Sequence, residues 1–257
     1  MITAGIDVGA KTVKIVLLKD GKEIVGKALV TAGTDVKKSI EDTWLRLQEK
    51  TGIKPDDISA IVATGAGKSD AANITKTVTE VGADAKGGVF FFPEARTVID
   101  VGAEEGRAIR VDAQGKVVDF AINEKCAAGA GAFTEAMARA LEVGIEELGP
   151  LSLKSTQEVA MNAQCAVFAE SELVTLVHAK TPKPDMARAI HNAIADRITS
   201  MVRRVGMEEK IVLIGGVAKN VGFVDSLNQQ LGTEVLIPED NEFVGALGAA
   251  LIAAEDD

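Results

Sequence analysis

Ile6-Asp7-Val8-Gly9-Ala10 recurs letter for letter as Ile99-Asp100-Val101-Gly102-Ala103, each copy closing an apolar run and opening a short polar turn. The repetition reads as a duplicated nucleotide-binding lobe. Glycine at a strand end removes the Cβ that would keep a phosphate off the backbone N–H groups, and aspartate offers a carboxylate to a hydrated Mg²⁺. Two unrelated hairpins are the plainer alternative, because a strand followed by Asp-X-Gly is common in α/β proteins. Identity over five residues with apolar flanks on both copies favours the pair.

The surroundings repeat as well. Lys11 to Leu18 and Arg107 to Asp112 are both strand-like, so each copy reads as strand, tight turn, strand. Asp20-Gly21 then leads to a third strand ending near Val30, and Gln114-Gly115 to another ending near Ile122.

With 257 residues the chain makes one large or two modest domains, and 47% hydrophobic content supplies the core. A net charge of −10, 4% aromatics and no tyrosine argue against a nucleic-acid groove, which needs a basic face and stacking rings. The start Met-Ile-Thr-Ala-Gly-Ile-Asp lacks a basic region and a cleavage site, and no apolar run reaches the ~18 to 20 residues of a membrane span. A cytoplasmic protein without nucleic-acid or membrane partners is expected.

Between the two turns, Ser39 to Thr51 carries Ile40, Trp44 and Leu47 at helical spacing and stops at Gly52. Ser59 to Thr64 reads as a buried strand running into Gly65-Ala66-Gly67-Lys68, a loop that either approaches the nucleotide or simply turns strand into helix. Pro182-Lys183-Pro184 reads as a loop, and Asp185 as the cap of a long helix with a core stripe of Met186, Ile190, Ile194, Ile198, Met201 and Val205, stopped by Gly206. An apolar strand over Lys210 to Ile214 leads into Gly215-Gly216-Val217-Ala218-Lys219-Asn220, whose paired glycines permit close approach by a flat ligand. Gly245 to Ala250 is a helix face nearly without side chains, suited to tight packing or to a hinge.

In this order the parts resemble the actin, Hsp70 and sugar-kinase ATPase superfamily, which implies an α/β fold of two ribonuclease-H-like lobes with nucleotide between them. The resemblance implies a first lobe over 1–98 and a second over 99–257, with the C-terminal helix crossing back to the first. Asp7 and Gly9, with Ala10, Lys11 and Thr12, match the first phosphate loop, and Asp100, Gly102, Ala103 and Glu104 the second. Gly215, Gly216, Val217, Ala218 and Asn220 match the adenosine loop, and Gly245 lies on the late connecting helix. ATP and Mg²⁺ are the implied ligands, with Asp7, Asp100 and Glu104 in catalytic positions.

Two cysteines, Cys126 and Cys165, each precede a helical stretch, Thr134 to Val143 in the first case. A thiol there sees free backbone N–H groups and the positive helix end, which favour thiolate and any anionic metal centre bound to it. By residue type alone they read as buried free thiols in a reducing cell, and a disulfide is a poor candidate.

Lys125-Cys126-Ala-Ala-Gly and Cys165-Ala-Val-Phe-Ala-Glu-Ser-Glu closely resemble the cluster-binding motifs of the BadF/BadG/BcrA/BcrD-type ATPases. That family includes 2-hydroxyacyl-CoA dehydratase activators and the ATP-binding subunits of benzoyl-CoA reductase. The resemblance implies that Cys126 and Cys165 hold half of a 4Fe-4S cluster whose other half comes from a second subunit, since such a cluster takes four thiolates. It also implies a ferredoxin or flavodoxin donor, separate catalytic reductase subunits, and an ATP-driven low-potential electron transfer.

Departures from the activator pattern steer the expectation further. Activators show Asp-Ile-Gly-Gly-Gln-Asp at the second phosphate loop, where this chain has Ala103 for Gly and Glu104 for Gln; they carry Ser-Thr where it has Ala10-Lys11. Lys11 either reaches a phosphate as a point charge or is solvated. One of the two unlike ATPase subunits of benzoyl-CoA reductases tends to have the less regular second loop, so that subunit of an ATP-dependent oxidoreductase is the reading favoured here. A homodimeric 2-hydroxyacyl-CoA dehydratase activator is the alternative. From other classes, a small-molecule kinase lacks a sugar motif, and Ala103-Glu104-Glu105 keeps a non-hydrolysing cluster scaffold open. His178 and His191 read as surface positions, Glu170 and Glu172 as a solvated helix face, and Glu255-Asp256-Asp257 as a frayed end.

Overall fold

The computed structural model describes residues 1–123, 131–161 and 166–255. The chain divides into two compact units, Met1–Arg96 with Val111–Val118 and Glu239–Asp257, and Thr97–Arg110 with Asp119–Pro238.

In the first unit β1 (Ile2–Val8), β2 (Thr12–Lys19) and β3 (Glu23–Thr31) form an antiparallel meander, and β4 (Ala60–Thr64) and the short β5 (Lys76–Thr77) extend it in parallel, in the order β3-β2-β1-β4-β5. Alternation sorts the two faces. Ala4, Ile6, Val8, Val13, Ile15, Leu17, Ile61 and Ala63 pack with Ile40 and Leu47 of α1 (Val36–Thr51), and Trp44 closes the edge. Asp35 accepts from Lys38 N at 3.0 Å, so α1 begins three residues before Ser39, and it ends where Gly52 adopts φ 73°. On the opposite face Val16 and Leu18 meet Ala246, Leu247 and Ala250 of α8 (Val244–Glu255), while Ala60 and Val62 meet its Ala249 and Ala253. Against α8 packs α2 (Glu80–Phe91), a helix the periodicity of its sequence does not announce.

The second unit repeats the arrangement with β6 (Thr97–Val101), β7 (Gly106–Val111), β8 (Val117–Asn123) and β9 (Ile211–Ile214) in the order β8-β7-β6-β9. As in the first unit, the first strand of the meander pairs antiparallel with the next and parallel with the strand that follows the helices. Its helices are α3 (Gly131–Ala140), α4 (Ile145–Ser152), α5 (Ala166–His178), α6 (Lys183–Val205) and α7 (Val221–Leu231). They close a core around Phe133, Met137, Leu148, Leu173, Ile190, Ile194, Ile198 and Phe223. Among the described residues no helix is long and apolar enough to cross a membrane.

Four expectations change. Helix α6 already starts at Lys183 with Pro184 in its first turn, a position where the missing N–H costs nothing. Asp185 does not cap that helix. Its Oδ1 accepts from Ser155 Oγ and Thr156 N, both at 2.8 Å, and from Gln157 N at 3.1 Å, pinning the loop after α4. The Thr156 amide first, then the Ser155 hydroxyl and Gln157 amide, hold the Asp185 carboxyl below its ordinary value against the opposing effect of burial. Glu255 ends α8 and pairs with Lys86 at 2.7 Å instead of fraying.

His191 is the fourth, since it is fully buried and not at the surface. It follows Ile190 on a helix that packs against both α4 and α7, so two adjacent positions face inward. Its Nδ1 lies 2.9 Å from Ser152 Oγ, which itself donates to Gly149 O at 2.8 Å. Burial, aided by the charge of Arg188, pushes its pKa down from 6.5 to about 4. The unfolded chain therefore binds this proton more readily than the native one. The contribution of neutral His191 to stability is complete above pH 6.5 and is lost as pH falls from there to about 4, an effect of about 3 kcal/mol. Urea unfolding across that window should flatten in the His191→Gln variant; an unchanged slope would remove His191 as its source.

Candidate functional site

In the first unit the site grows from the end of β1. Asp7 is the register partner of Lys14 on β2 and of Thr64 on β4. Lys14 Nζ donates to Asp7 Oδ2 at 2.8 Å. Gly9 N donates to Thr12 O at 3.1 Å, closing a turn whose tip carries exposed Ala10 and Lys11. Gly65 has φ 92°, and a Cβ there would lie 2.4 Å from Val8 O and 2.7 Å from Asp7 Oδ1, so only glycine fits. Gly67 N donates to Val8 O at 2.9 Å, which places the Gly65-Ala66-Gly67 loop against the Asp7 turn. At the start of α8, Gly245 faces Asp7 and Asp84, with space for a hydrogen where a Cβ would be 3.1 Å from Asp84 Oδ1 and 3.6 Å from Asp7 Oδ2.

The second unit rebuilds this pattern from different residues. Asp100 is the register partner of Arg107 and of Ile214. The Arg107 guanidinium forks onto Asp100 Oδ2 and Glu105 Oε2, each at 2.5 Å. Gly102 N donates to Glu105 O at 2.9 Å. Gly215 has φ 88°, and its Cβ would lie 2.4 Å from Val101 O and 2.5 Å from Asp100 Oδ1, matching Gly65 nearly atom for atom.

Two features of the second unit bear on what the loops can do. The first amides of α3 donate to the turn, Gly131 N to Gly102 O and Ala132 N to Ala103 O, both at 2.8 Å. Any shift of that turn therefore loads the start of α3. In the glycine loop Val217 and Ala218 are buried, so they offer a ligand backbone only, while Gly216 is exposed. Asn220 Oδ1 is used on Gly222 N at 3.0 Å and Phe223 N at 3.2 Å as the cap of α7, a helix not anticipated from sequence.

Within the first unit Asp7, Gly9, Ala10, Lys11, Thr12 and Gly245 thus gather at one end of the sheet. Within the second, Asp100, Gly102, Ala103 and Glu104 gather beside Gly215 to Asn220. Glu104 is exposed, and Glu105, not Glu104, takes the arginine. Sequence reasoning missed Lys14, Arg107, Thr64 and Asp84. For the first two a signal existed, a basic residue seven positions after the aspartate in both repeats. Cys126 and Cys165 lie outside the described residues; α3 and α5 begin five and one residues after them in sequence.

The described residues fit a nucleotide and its cation. Each unit holds a carboxylate at a strand end beside a glycine turn, and the first adds a buried hydroxyl, Thr64 Oγ1, with no hydrogen-bond partner among the described residues.

A family model described as the BadF/BadG/BcrA/BcrD ATPase family matches residues 4–253. The chain is 40% identical over 255 residues to the (R)-2-hydroxyglutaryl-CoA dehydratase activating ATPase of Acidaminococcus fermentans, covering 98% of this chain and 96% of that protein. It is 34% identical over 263 residues to one of the subunits of the benzoyl-CoA reductase of Thauera aromatica, covering 98% of this chain and 93% of that subunit. A solved structure of the activator of the 2-hydroxyisocaproyl-CoA dehydratase from Clostridium difficile with bound ADPNP superposes with a TM-score of 0.92 at 36% identity, covering 100% of this chain and 95% of that one. Likeness to sugar kinases of the ROK type, at about 15% identity, is of fold alone and confirms the actin, Hsp70 and sugar-kinase architecture.

Proposed function

The chain belongs to the BadF/BadG/BcrA/BcrD ATPase family, and from that premise we propose that it is an ATP-dependent iron–sulfur activator of the 2-hydroxyacyl-CoA dehydratase type, working in the cytoplasm. The observation that carries this reading is 40% identity along nearly the whole of both chains to a dehydratase-activating ATPase. In the first unit Asp7 offers its carboxylate to the cation of a nucleotide and the amides of the Gly9 turn offer donors to phosphate; in the second unit Asp100 and the amides of the Gly102 turn offer the same pair, and the Gly215 to Asn220 backbone offers a flat surface to a base. Cys126 and Cys165 supply two of the four thiolates of a 4Fe-4S cluster, with a second subunit supplying the others. When bound, the cluster provides a one-electron carrier of low potential, loaded by a ferredoxin or flavodoxin and discharged into a separate catalytic component. The hydrogen bonds from Gly131 and Ala132 into the second turn give nucleotide binding a path to the segment that follows Cys126.

The benzoyl-CoA reductase reading, favoured by the irregular Ala103-Glu104 loop, stands second, with 34% identity to one subunit of such an enzyme. The two readings separate in one assay. Oxygen-free protein, with ATP and a reductant, should support dehydration of a 2-hydroxyacyl-CoA by a dehydratase component and should not replace the ATPase subunits of a benzoyl-CoA reductase. Activity in the second system alone would reverse the order.

The adenosine loop has its own test. Gly216 is exposed, so Gly216→Val leaves packing intact while obstructing a flat ligand. Nucleotide affinity by calorimetry is expected to fall at least about tenfold, ~1.4 kcal/mol. Unchanged affinity would take this loop out of the site.

A further inference from the structure

The glycine loop of the second unit ends at Asn220, and the ground beneath Asn220 is polar where a core is usually apolar. Inside the loop Ala218 N donates to Gly215 O at 3.2 Å and Asn220 N to Val217 O at 2.9 Å, so the loop is a closed turn fastened at its far end to Asn220. Asn220 Oδ1 in turn holds the first amides of α7, those of Gly222 and Phe223. Helix α4 lies against this cap by its backbone, since a Cβ at Gly149 would fall 2.7 Å from Asn220 Oδ1 and 3.3 Å from Gly222 N. Glycine is a poor helix former, and at this position it lets main chain reach the cap.

Ser152 Oγ joins the two contacts. It donates to Gly149 O at 2.8 Å, and it fills the place of the missing Gly222 side chain, whose Cβ would lie 2.1 Å from it. His191 Nδ1 reaches the same oxygen at 2.9 Å, and the edge of its ring also abuts residue 222, where a Cβ would lie 2.6 Å from both Nδ1 and Cε1. Because the hydroxyl proton is spent on Gly149 O, Nδ1 carries a proton and donates to Oγ, and Nε2 is the bare nitrogen. That Nε2 is buried without a hydrogen-bond partner among the described residues. Ser152 is 1% exposed and His191 0%, in a core otherwise built from Leu148, Ile190, Ile194 and Phe223. Burying such a pair costs desolvation that an apolar pair of the same volume would not, and in exchange the hydrogen bonds admit one arrangement of the three helices.

We propose that Ser152 and His191 are positioning residues for the adenosine loop: the imidazole fixes the serine hydroxyl, the hydroxyl fixes Gly149 and Gly222 against each other, and the Asn220 cap between them holds the turn whose backbone faces the base. What the loop recognises rests on the nucleotide reading above; how the loop is held does not. The effect is confined to the base, because the phosphate turn at Gly102 is bonded elsewhere, to Glu105 and to the start of α3.

The test uses the full chain purified without oxygen. ADP and tripolyphosphate, the second a probe of the phosphate turns without a base, are titrated in the calorimeter with Mg²⁺, and amide exchange of Gly215 to Phe223 is followed by mass spectrometry without nucleotide. In Ser152→Ala and His191→Phe, exchange of that segment should quicken and ADP affinity should fall, each about fivefold, the worth of one neutral hydrogen bond, while tripolyphosphate affinity changes less than about twofold. His191→Asn keeps a donor near the position of Nδ1 and loses the ring, so it should be the less stable variant yet hold ADP affinity within about twofold of wild type. A role in packing alone predicts the opposite order, with phenylalanine the better substitute. Unaltered ADP affinity in Ser152→Ala, or ADP and tripolyphosphate weakened alike, would overturn the proposal. Wild-type protein that binds ADP no better than tripolyphosphate would remove the loop from the nucleotide site, and amide exchange then decides the positioning by itself: an unchanged rate in Ser152→Ala refutes it. If Ser152→Ala loses its circular dichroism spectrum, the order of His191→Phe and His191→Asn decides in its place.

Discussion

Cys126→Ala and Cys165→Ala are each expected to abolish the iron–sulfur centre while leaving the fold in place. Stoichiometry is the reason. A 4Fe-4S cube takes four thiolates, the chain has two cysteines in all, and losing either leaves two thiolates in place of four where the second subunit is a copy and three where it is a different chain. No other cysteine can substitute. The fold does not depend on them in the same way, because each described core closes on aliphatic and aromatic side chains, Ile6, Ile15 and Leu47 in one unit and Phe133, Ile190 and Phe223 in the other. Anaerobic iron and sulfide analysis with EPR should therefore read near zero for both variants, alongside wild-type circular dichroism and nucleotide affinity. Iron retained at wild-type level in both variants would sink the electron-transfer reading and leave a nucleotide-binding protein. In the wild type, ATP should also alter the EPR signal. The turn at Gly102 and Ala103 accepts the first two amides of α3, so a nucleotide that moves the turn moves the helix that follows the Cys126 segment.

The duplicated strand, turn, strand was legible because two independent signals coincide in it: an apolar run, and an Asp-Val-Gly that closes it into a polar turn. Close approach of the backbone makes Gly65 and Gly215 equivalent, each pressed on the carbonyl of the residue after its aspartate. Their equivalence was not legible, because it depends on which strand lies parallel beside β1 and β6. Cross-strand partners were lost for a similar reason. Lys14 and Arg107 sit seven residues after their aspartates, a spacing that means nothing until the hairpin register sets them opposite. Helix α2 carries no apolar stripe and holds Gly82, Gly87 and Gly88, so its sequence lacks the helical signal; in the fold Gly87 meets Val244 O with no room for a Cβ, which would lie 2.3 Å away. His191 and Asp185 show the complementary limit. Each was assigned by its own helix, whereas His191 is placed by Ser152 of α4 and Asp185 by the loop that follows α4.

Gly248→Ala is expected to cost about 3 kcal/mol, near the upper end for overpacking a core, in a protein whose whole stability is on the order of 5–15 kcal/mol. Helix α8 is buried on both sides, so it has no amphipathic stripe, and small residues line it from Gly245 to Ala250. On one side it lies on β1, where a Cβ at Gly5 would fall 1.9 Å from Ala246 O; on the other it lies on α2, where a Cβ at Gly248 would fall 1.8 Å from Ala83 O. Those obstacles are backbone atoms, not flexible side chains, so relief requires moving a helix. Moving α8 away from α2 drives it into β1, and moving it from β1 drives it into α2; hence neither glycine can be replaced by a local adjustment. Gly52 supplies the comparison. It has φ 73° but no atom within 4 Å of an added Cβ, so Gly52→Ala carries only the left-handed backbone penalty of ~1 to 2 kcal/mol. Chemical denaturation of the three proteins should rank Gly248→Ala well below Gly52→Ala and both below wild type. A Gly248→Ala variant within about 1 kcal/mol of wild type would mean that α8 does not seat against α2 as closely as described. In that case the approach of Gly245 to Asp7 and Asp84, at the start of the same helix, would lose its basis as well.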